Sequence, residues 1–209
     1  MSKIFRCHQK LYAGRDGPMV NKQPLHLRQG MLDMACGPHC VLMALMLMGE
    51  LHRDDLDELD SFAVPRNQAL TKLWKRSTGL YFTGSAPKEL QSLLAPFTDS
   101  IKSRYLRKAG RNGRAIECLE QRGTCIIGIH NHDFSHWVLA VGFSTHDKLT
   151  KPDKFLLLDP DTSTLPLTPW NATLSALPNQ NGMYRYDTVE FTAKVLVDSV
   201  LALTPVLDA

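Results

Sequence analysis

An uncharged apolar run, Val41–Met48, follows a Cys-Gly-Pro turn and ends at a glycine. Proline fits the first turn of a helix, because its missing N–H group would have no intrahelical partner there. Gly49 suits the left-handed conformation that ends many helices. The pattern predicts a helix from about Pro38 to Met48. Since a helix that is apolar on every side must be buried, we expect the rest of the chain to pack around it.

Cys36 lies at the N-terminal edge of this predicted helix. The positive end of the helix dipole and the free N–H groups favour a thiolate, which makes a cysteine a better nucleophile. The alternative is that Cys36 is a small buried hydrophobic residue, as many free cysteines are. Residues elsewhere in the chain must decide between these interpretations.

The hydrophobic periodicity changes near the middle of the chain. Apolar residues at helical spacing predict further helices in the first half, after an extended lead-in with one short strand at residues 1–28. These helices fall within residues 51–63, 67–76, 85–96 and 113–122. Runs rich in β-branched residues predict an antiparallel sheet in the second half. Its strands are expected at Thr124–His130, Trp137–Ser144, Phe155–Leu158 and Arg185–Asp198. The elements predict one α+β domain over residues 1–209, with a mainly helical lobe to about residue 123 and a mainly β lobe from about residue 124.

Composition and charge narrow the classes of function. The hydrophobic fraction of 44% and the charged fraction of 22% are typical of an ordinary soluble globular protein. A net charge of +3 is too small to indicate nucleic-acid binding. The basic segment Lys102–Arg114 is interpreted as a solvated surface, with a phosphate-binding patch as the alternative.

The sequence also bears on the compartment. No apolar segment near the N-terminus resembles a secretory signal, and no run approaches the length of a membrane span. Five cysteines without a disulfide-like spacing indicate synthesis in a reducing cytoplasm. Export by a secretion system that needs no cleaved signal is compatible with this expectation.

His136 and Asp159 are the candidate partners of Cys36. His136 opens one predicted strand and Asp159 closes the next, with a polar turn around residues 146–153. If the two strands form a symmetric hairpin, the imidazole and the carboxylate lie within hydrogen-bond reach, since cross-strand neighbours have Cβ atoms about 4.5–5.5 Å apart. A nucleophilic cysteine needs such a base and a group that orients it. Each residue alone would be an ordinary strand-end residue, and the combination indicates a catalytic triad.

Other polar residues have weaker assignments. The Gln29 amide is a candidate donor to an oxyanion, beside the backbone N–H of Cys36. Gly37, His132 and Trp137 are predicted to contact substrate, and His132 is the second candidate for the base. Cys36, His39 and Cys40 could suggest zinc together with a later histidine, but their spacing is not that of a zinc knuckle, so no metal or other cofactor is predicted. Cys40 is interpreted as core packing, with a resolving role toward Cys36 as the alternative.

Three short islands carry a resemblance to a known family. Gln29 with Cys36-Gly37-Pro38, then His136-Trp137-Val138 with Gly142, and then Leu158-Asp159-Pro160 resemble the papain-like cysteine peptidases that remove double-glycine leaders from bacteriocin precursors, and the stand-alone relatives of that family. The resemblance implies a papain-like fold with a helical lobe carrying the cysteine and a β lobe carrying histidine and aspartate. It implies Cys36 as nucleophile, His136 as general base and acid, Asp159 as orienting group and Gln29 as oxyanion donor. A free-standing enzyme of this kind also resembles papain-like toxins that bacteria inject into other cells.

These observations predict a cysteine peptidase acting on a protein or peptide. An acyltransferase, a transglutaminase or a deamidase is the first alternative, because all of them share an acyl-enzyme intermediate. A non-catalytic binding module is the second alternative, and a nucleic-acid-binding domain is the third. A bacterial toxin or effector would be expected to have a cognate inhibitor or immunity protein as a partner, whereas neither nucleic acid nor membrane insertion is expected.

Overall fold

The structure, a computed structural model, describes residues 2–31, 33–57, 68–106, 111–146 and 152–206. Its strands are β1 (Lys3–Cys7), β2 (Tyr12–Gly14), β3 (Gly17–Val20), β4 (Gln23–Pro24), β5 (Ile101–Tyr105), β6 (Thr124–His130), β7 (Ser135–His146), β8 (Pro152–Leu158), β9 (Ala172–Ser175), β10 (Tyr184–Thr188) and β11 (Thr192–Pro205). Its helices are α1 (Cys36–Met48), α2 (Arg53–Asp57), α3 (Gln68–Ser77), α4 (Leu80–Thr83), α5 (Pro87–Leu94) and α6 (Arg111–Glu120), with a 3₁₀ turn at Ala95–Phe97.

Six of the strands close into an antiparallel barrel. The order is β6-β7-β8-β9-β10-β11, and β11 pairs again with β6. β1 adds to the later part of β7, where Cys7 pairs with Gly142. β5 adds to the last residues of β11, and β2, β3 and β4 form a separate small sheet. The first and second halves of the chain therefore share one sheet.

Successive residues of a strand point to opposite faces, and both faces of the barrel wall are apolar here. Alternate residues from all six barrel strands form one buried cluster, which includes Ile127, Val138, Leu157, Leu174 and Val195. Tyr186 of β10 belongs to the same cluster and is fully buried. The residues between them, such as Leu139 and Val141, join a second cluster with α1, α3 and α5. The barrel thus has its own core and supports a helical layer on one side.

The helix α1 confirms the prediction from the apolar run. It begins at Cys36 and ends before Gly49, whose φ of 93° is left-handed. The Gly49 N–H donates to the carbonyls of Leu45 and Met46, at 3.0 and 3.2 Å, so the last turn is capped by the backbone. All its residues except His39 and Met48 are buried. The other helices are shorter, and within the described residues none combines the length and apolar character needed to cross a bilayer.

The predicted fold class is wrong. The protein is mostly β, with a closed six-stranded antiparallel barrel and six short helices in the described part of the chain, and it does not have the papain-like arrangement of a helical lobe and a β-sheet lobe. The first 123 residues carry all six of these helices and also contribute the five strands β1 to β5. Hydrophobic periodicity shows where elements lie, whereas closure depends on pairings between distant strands, which periodicity does not encode.

Several individual elements also differ from their predictions. The lead-in at residues 1–28 forms four strands rather than one. The strand predicted at 185–198 is a hairpin of β10 and β11, because the Thr188 hydroxyl accepts hydrogen bonds from the backbone N–H groups of Glu190 and Phe191 and closes a turn. The helix predicted at 51–63 is formed at α2 as far as Asp57, and its remainder lies outside the described residues.

Candidate active site

Cys36 is the first residue of α1, and it is 9% exposed. The preceding loop is held by the Asp33 carboxylate, which accepts hydrogen bonds from the backbone N–H groups of Gly30 (2.6 Å) and Ala35 (3.1 Å). Because these bonds fix the conformation of the loop that leads into α1, they also fix the position of the Cys36 side chain. The first-turn N–H groups of α1 have no intrahelical partners, so they favour negative charge at this end.

His136 and Asp159 lie side by side, as the sequence predicted. His136 Nε2 donates to Asp159 Oδ1 at 2.6 Å. His136 lies near the start of β7, where it pairs with Ile129, and Asp159 directly follows β8. The two strands pair with Leu139 opposite Leu158, so His136 and Asp159 are diagonal rather than directly opposite neighbours.

The Cys36 side chain is a neighbour of the His136 imidazole, close enough to help raise its pKa, and both residues line the same cleft. Since Nε2 is engaged by Asp159, Nδ1 is the ring nitrogen that remains for the sulfur. The thiol, the imidazole and the carboxylate are therefore neighbours in that order. In this arrangement a base can take the thiol proton while the carboxylate stabilises the imidazolium.

Asp159 is 1% exposed, and both of its carboxylate oxygens have donors. Oδ1 accepts from the backbone N–H of Asp161 at 2.8 Å as well as from His136. Oδ2 accepts from the hydroxyl of Tyr186. The Asn171 side chain holds the backbone of Asp159, accepting from its N–H at 2.7 Å and donating to its carbonyl at 2.9 Å. Hydrogen bonds thus hold both carboxylate oxygens and the backbone of Asp159 in place.

The contact between His136 and Asp159 shifts the pKa of both side chains. Burial by itself disfavours the imidazolium, but the hydrogen bond to Asp159, the negative charge of that carboxylate and the neighbouring Cys36 side chain outweigh burial, and they raise the pKa of His136 to about 10. Burial also opposes ionisation of Asp159, yet the hydrogen bonds from His136 and Tyr186 hold the pKa of this carboxyl below its ordinary value. The site therefore favours an imidazolium beside the Asp159 carboxylate at neutral pH.

Gln29 lies in the same cleft as Cys36 and His136. Its backbone N–H donates to the carbonyl of Pro160 at 2.9 Å, which ties the loop before α1 to the loop after β8. Its side-chain Oε1 is buried and has no hydrogen-bond partner in the described part of the chain. The structure thus places the fourth predicted residue in the same cleft as Cys36 and His136, and its amide oxygen has no partner among the described residues.

The cleft has a volume of about 580 Å³, and Trp137 forms part of its wall. The Trp137 indole N–H donates to the carbonyl of Ser85 at 2.8 Å, and its own carbonyl accepts from the Cys40 thiol at 3.4 Å. Gly37 lies under Ser85 so closely that a Cβ on Gly37 would overlap the Ser85 hydroxyl. Trp137 therefore links the barrel to α1 and to the segment before α5, and Gly37 permits the close approach of that segment.

Other predicted residues lie elsewhere or have structural contacts. The His132 side chain is fully exposed on the turn between β6 and β7, beside Asp133 and outside the cleft lining. Cys40 is fully buried, and burial raises the pKa of its thiol well above the ordinary value. His39 Nδ1 lies 2.8 Å from the carbonyl of Ala35. Among the described residues, no group of three histidine, cysteine or acidic side chains is arranged to hold a metal ion.

Tyr186, Asn171 and Ser85 also belong to the site, and no sequence pattern predicted their contacts. The alternation of β10 indicates that Tyr186 points inward, but it does not indicate that the hydroxyl reaches Asp159. Asn171 lies in a loop twelve residues after Asp159, where an asparagine is ordinary. These contacts join segments that are separate in the chain, so no local pattern could have shown them.

No known family model matches the chain, and no curated protein matches it either. The family resemblance therefore stays a prediction that rests on its three short islands.

Proposed function

We propose that this protein is a cysteine peptidase that hydrolyses peptide bonds through an acyl-enzyme on Cys36. The observation that carries the proposal is the hydrogen bond between His136 and Asp159 beside the Cys36 side chain, at the wall of an open cleft. An activated nucleophile requires a base within hydrogen-bond reach and a third group that orients the base. Cys36, His136 and Asp159 are the candidates for these three roles, and they belong to α1, to β7 and to the end of β8.

In the proposed reaction, the Cys36 thiolate attacks the carbonyl carbon of a peptide bond and forms a tetrahedral oxyanion. The backbone N–H groups at the start of α1 and the side-chain amide of Gln29, which lines the same cleft, would donate to that oxygen. Protonated His136 then donates its proton to the leaving amine, so the C–N bond breaks and a thioester remains. His136, now neutral, accepts a proton from water as the water attacks the thioester, and the acid product leaves with the thiolate restored.

Asp159 supports both proton transfers without itself becoming protonated. Its negative charge stabilises the imidazolium, and its hydrogen bond to Nε2 keeps Nδ1 directed toward sulfur. Tyr186 and Asn171 act through Asp159, because they contact its carboxylate and its backbone rather than the reacting atoms. They are positioning residues in this proposal.

The proposal is tested by covalent labelling with a thiol-reactive peptide epoxide, followed by intact mass and peptide mapping. Fast labelling at Cys36 alone is expected in the wild type, and His136→Ala should slow it by at least about a hundredfold because general-base activation is lost. Cys7→Ser is the matched control, since Cys7 is half-buried and burial raises the pKa of its thiol to about 11. Slow labelling that spreads over several cysteines and ignores His136 would refute the proposal.

Product analysis of a peptide mixture distinguishes hydrolysis from related reactions. Cleaved chains with new carboxyl termini support the peptidase proposal. Chains that gain a group without cleavage, or that convert glutamine to glutamate, would mean that the same thiol site transfers or deamidates instead. Cys36→Ala is the negative control, and full activity in this variant would show that the thiol is not the nucleophile.

A further inference from the structure

The cleft that holds Cys36 is lined by two carboxylates, Asp33 and Glu89, and by no lysine or arginine among its described residues. We infer that these two carboxylates select a cationic side chain, lysine or arginine, in the peptide that occupies the cleft. This inference rests on the proposed peptidase function and names its substrate class.

Both carboxylates belong to helix starts, and both keep capacity for a further partner. Glu89 Oε2 accepts from the backbone N–H of Ala86 at 2.6 Å, at the start of α5. Asp33 accepts one backbone N–H at each oxygen, as described for the loop before α1. An ionised carboxylate offers about four acceptor positions, so each of these groups can still accept from an ammonium or a guanidinium.

Neither carboxylate has a cationic partner within the described part of the chain. Several other acidic residues of this protein do have one. Asp153 lies 3.0 Å from the Lys3 ammonium, and Asp187 lies 2.9 Å from that of Lys154. The acidic groups of the cleft are thus left to a partner from outside the chain.

A third carboxylate, that of Asp159, lies behind His136 at the wall of the cleft. The cleft lining itself contains the carboxylates of Asp33 and Glu89, whereas the whole chain carries a formal net charge of +3. The attraction for a cationic peptide is therefore a local property of the cleft and is opposite in sign to the net charge of the protein.

Two residues of the cleft lining have a polar atom without a partner. Gln29 Oε1 and Ser85 Oγ are buried and have no hydrogen-bond partner among the described residues. A buried polar atom without a partner is costly, so a bound group that supplies a hydrogen bond is favoured there. A peptide backbone N–H or a lysine ammonium can donate to Gln29 Oε1, whereas a carboxylate of the substrate cannot.

The test compares internally quenched peptides that are identical except at one position, which carries lysine, acetyl-lysine or glutamate. The position is scanned through the residues on both sides of the cleaved bond. An exposed ion pair contributes about two- to fivefold in affinity, so the two carboxylates should favour lysine over acetyl-lysine by about four- to twentyfold in kcat/KM. The preference should shrink as the salt concentration rises, because salt screens exposed charges.

Glu89→Gln removes the charge and keeps an oxygen acceptor for the helix start, where glutamine also serves. It should reduce the preference for lysine by about two- to fivefold, and Asp33→Asn should reduce it similarly. The matched control is Glu117→Gln on α6, an exposed residue outside the cleft, which should retain the full preference. If lysine and acetyl-lysine peptides are cleaved equally well, or if Glu89→Gln behaves like Glu117→Gln, the inference is overturned.

Binding to the Cys36→Ala variant, measured by fluorescence anisotropy with the same peptides, separates this inference from the proposed function. Tighter binding of the lysine peptide, lost in Cys36→Ala/Glu89→Gln, supports charge selection even if no peptide is cleaved by the wild type. Cleavage without any charge preference in binding or in kcat/KM would leave the peptidase proposal standing and overturn this inference.

Discussion

Replacing Tyr186 by phenylalanine isolates one hydrogen bond of the buried carboxylate. The hydroxyl donates to Asp159 Oδ2, and both residues are almost fully buried, so water cannot replace the lost donor. A hydrogen bond to a charged group contributes about 1.5–3 kcal/mol, and a buried acceptor left without its donor costs a similar amount. We therefore expect Tyr186→Phe to lower the free energy of unfolding by about 1.5–3 kcal/mol at pH 7.

The pH dependence of this loss has a definite sign. The Tyr186 hydroxyl is one of the groups that hold the pKa of Asp159 below its ordinary value of 3.8. Its contribution is fully present above that ordinary value, and it is lost as the pH falls through the lower pKa of the folded protein. The difference between wild type and Tyr186→Phe should be constant from pH 7 to about pH 5 and should shrink in stronger acid.

The assay is urea unfolding followed by tryptophan fluorescence, with linear extrapolation to water. The matched control is Tyr184→Phe. Tyr184 is on the same strand, but its hydroxyl accepts a hydrogen bond from Asn112 Nδ2 at 3.0 Å and does not contact Asp159. The variant is also made in an Asp159→Asn background, where the acceptor is neutral and the loss should fall to about 0.5–1.5 kcal/mol. An equal loss in both backgrounds would refute the argument that the hydroxyl stabilises the charge.

Three further predictions concern the same region. Asp159→Asn should move the alkaline limit of kcat/KM from about pH 10 to lower pH, because the carboxylate raises the pKa of His136 and burial opposes it. Gly37→Ala should lower the free energy of unfolding by about 1–3 kcal/mol, measured in urea, because the added methyl overlaps the Ser85 hydroxyl. Asn171→Ala should lower it by about 1–3 kcal/mol, since it leaves the buried backbone N–H of Asp159 without its partner, while the Asp159 carbonyl still has His26 Nε2 at 2.7 Å.

The controls for these changes are available in the chain. Gly113 lies in α6 with open space where an added methyl group would stand, so Gly113→Ala should not destabilise the protein. Asn181 is exposed, and its replacement by alanine should have an effect within about 0.5 kcal/mol. An alkaline limit that does not move in Asp159→Asn would contradict the role of the carboxylate. Losses at Gly37 or Asn171 no larger than those of their controls would contradict the packing arguments.

The parts of the structure that the sequence predicted depend on local patterns. Pro38 lies in the first turn of α1 and Gly49 ends it. The run Thr124–His130 is β6, with the predicted bounds. The proximity of His136 and Asp159 followed from a hairpin, in which two strands that are adjacent in the chain pair with each other. These features need only the periodicity and turn preferences of neighbouring residues.

The parts that were missed depend on contacts between distant segments. Lys3–Cys7 was predicted to be part of an extended lead-in, because its side chains are mostly exposed and show no buried alternation. It forms β1 by pairing with the far end of β7. The turn between β10 and β11 contains no glycine or proline and is closed by the Thr188 hydroxyl, so the chain there resembles one continuous strand. Tyr186 reaches Asp159 from β10, which is not paired with β8, so this contact depends on the curvature of the whole sheet.

The contacts of Trp137 have a consequence for the proposed catalysis. Trp137 is next to His136 in the chain, and its carbonyl accepts a hydrogen bond from the thiol of Cys40, which lies one helical turn after Cys36. The distance between the proposed base and the proposed nucleophile is therefore set by elements that the chain itself joins. In the proposed mechanism such a pair is preorganised, and little binding energy from the substrate is needed to assemble it.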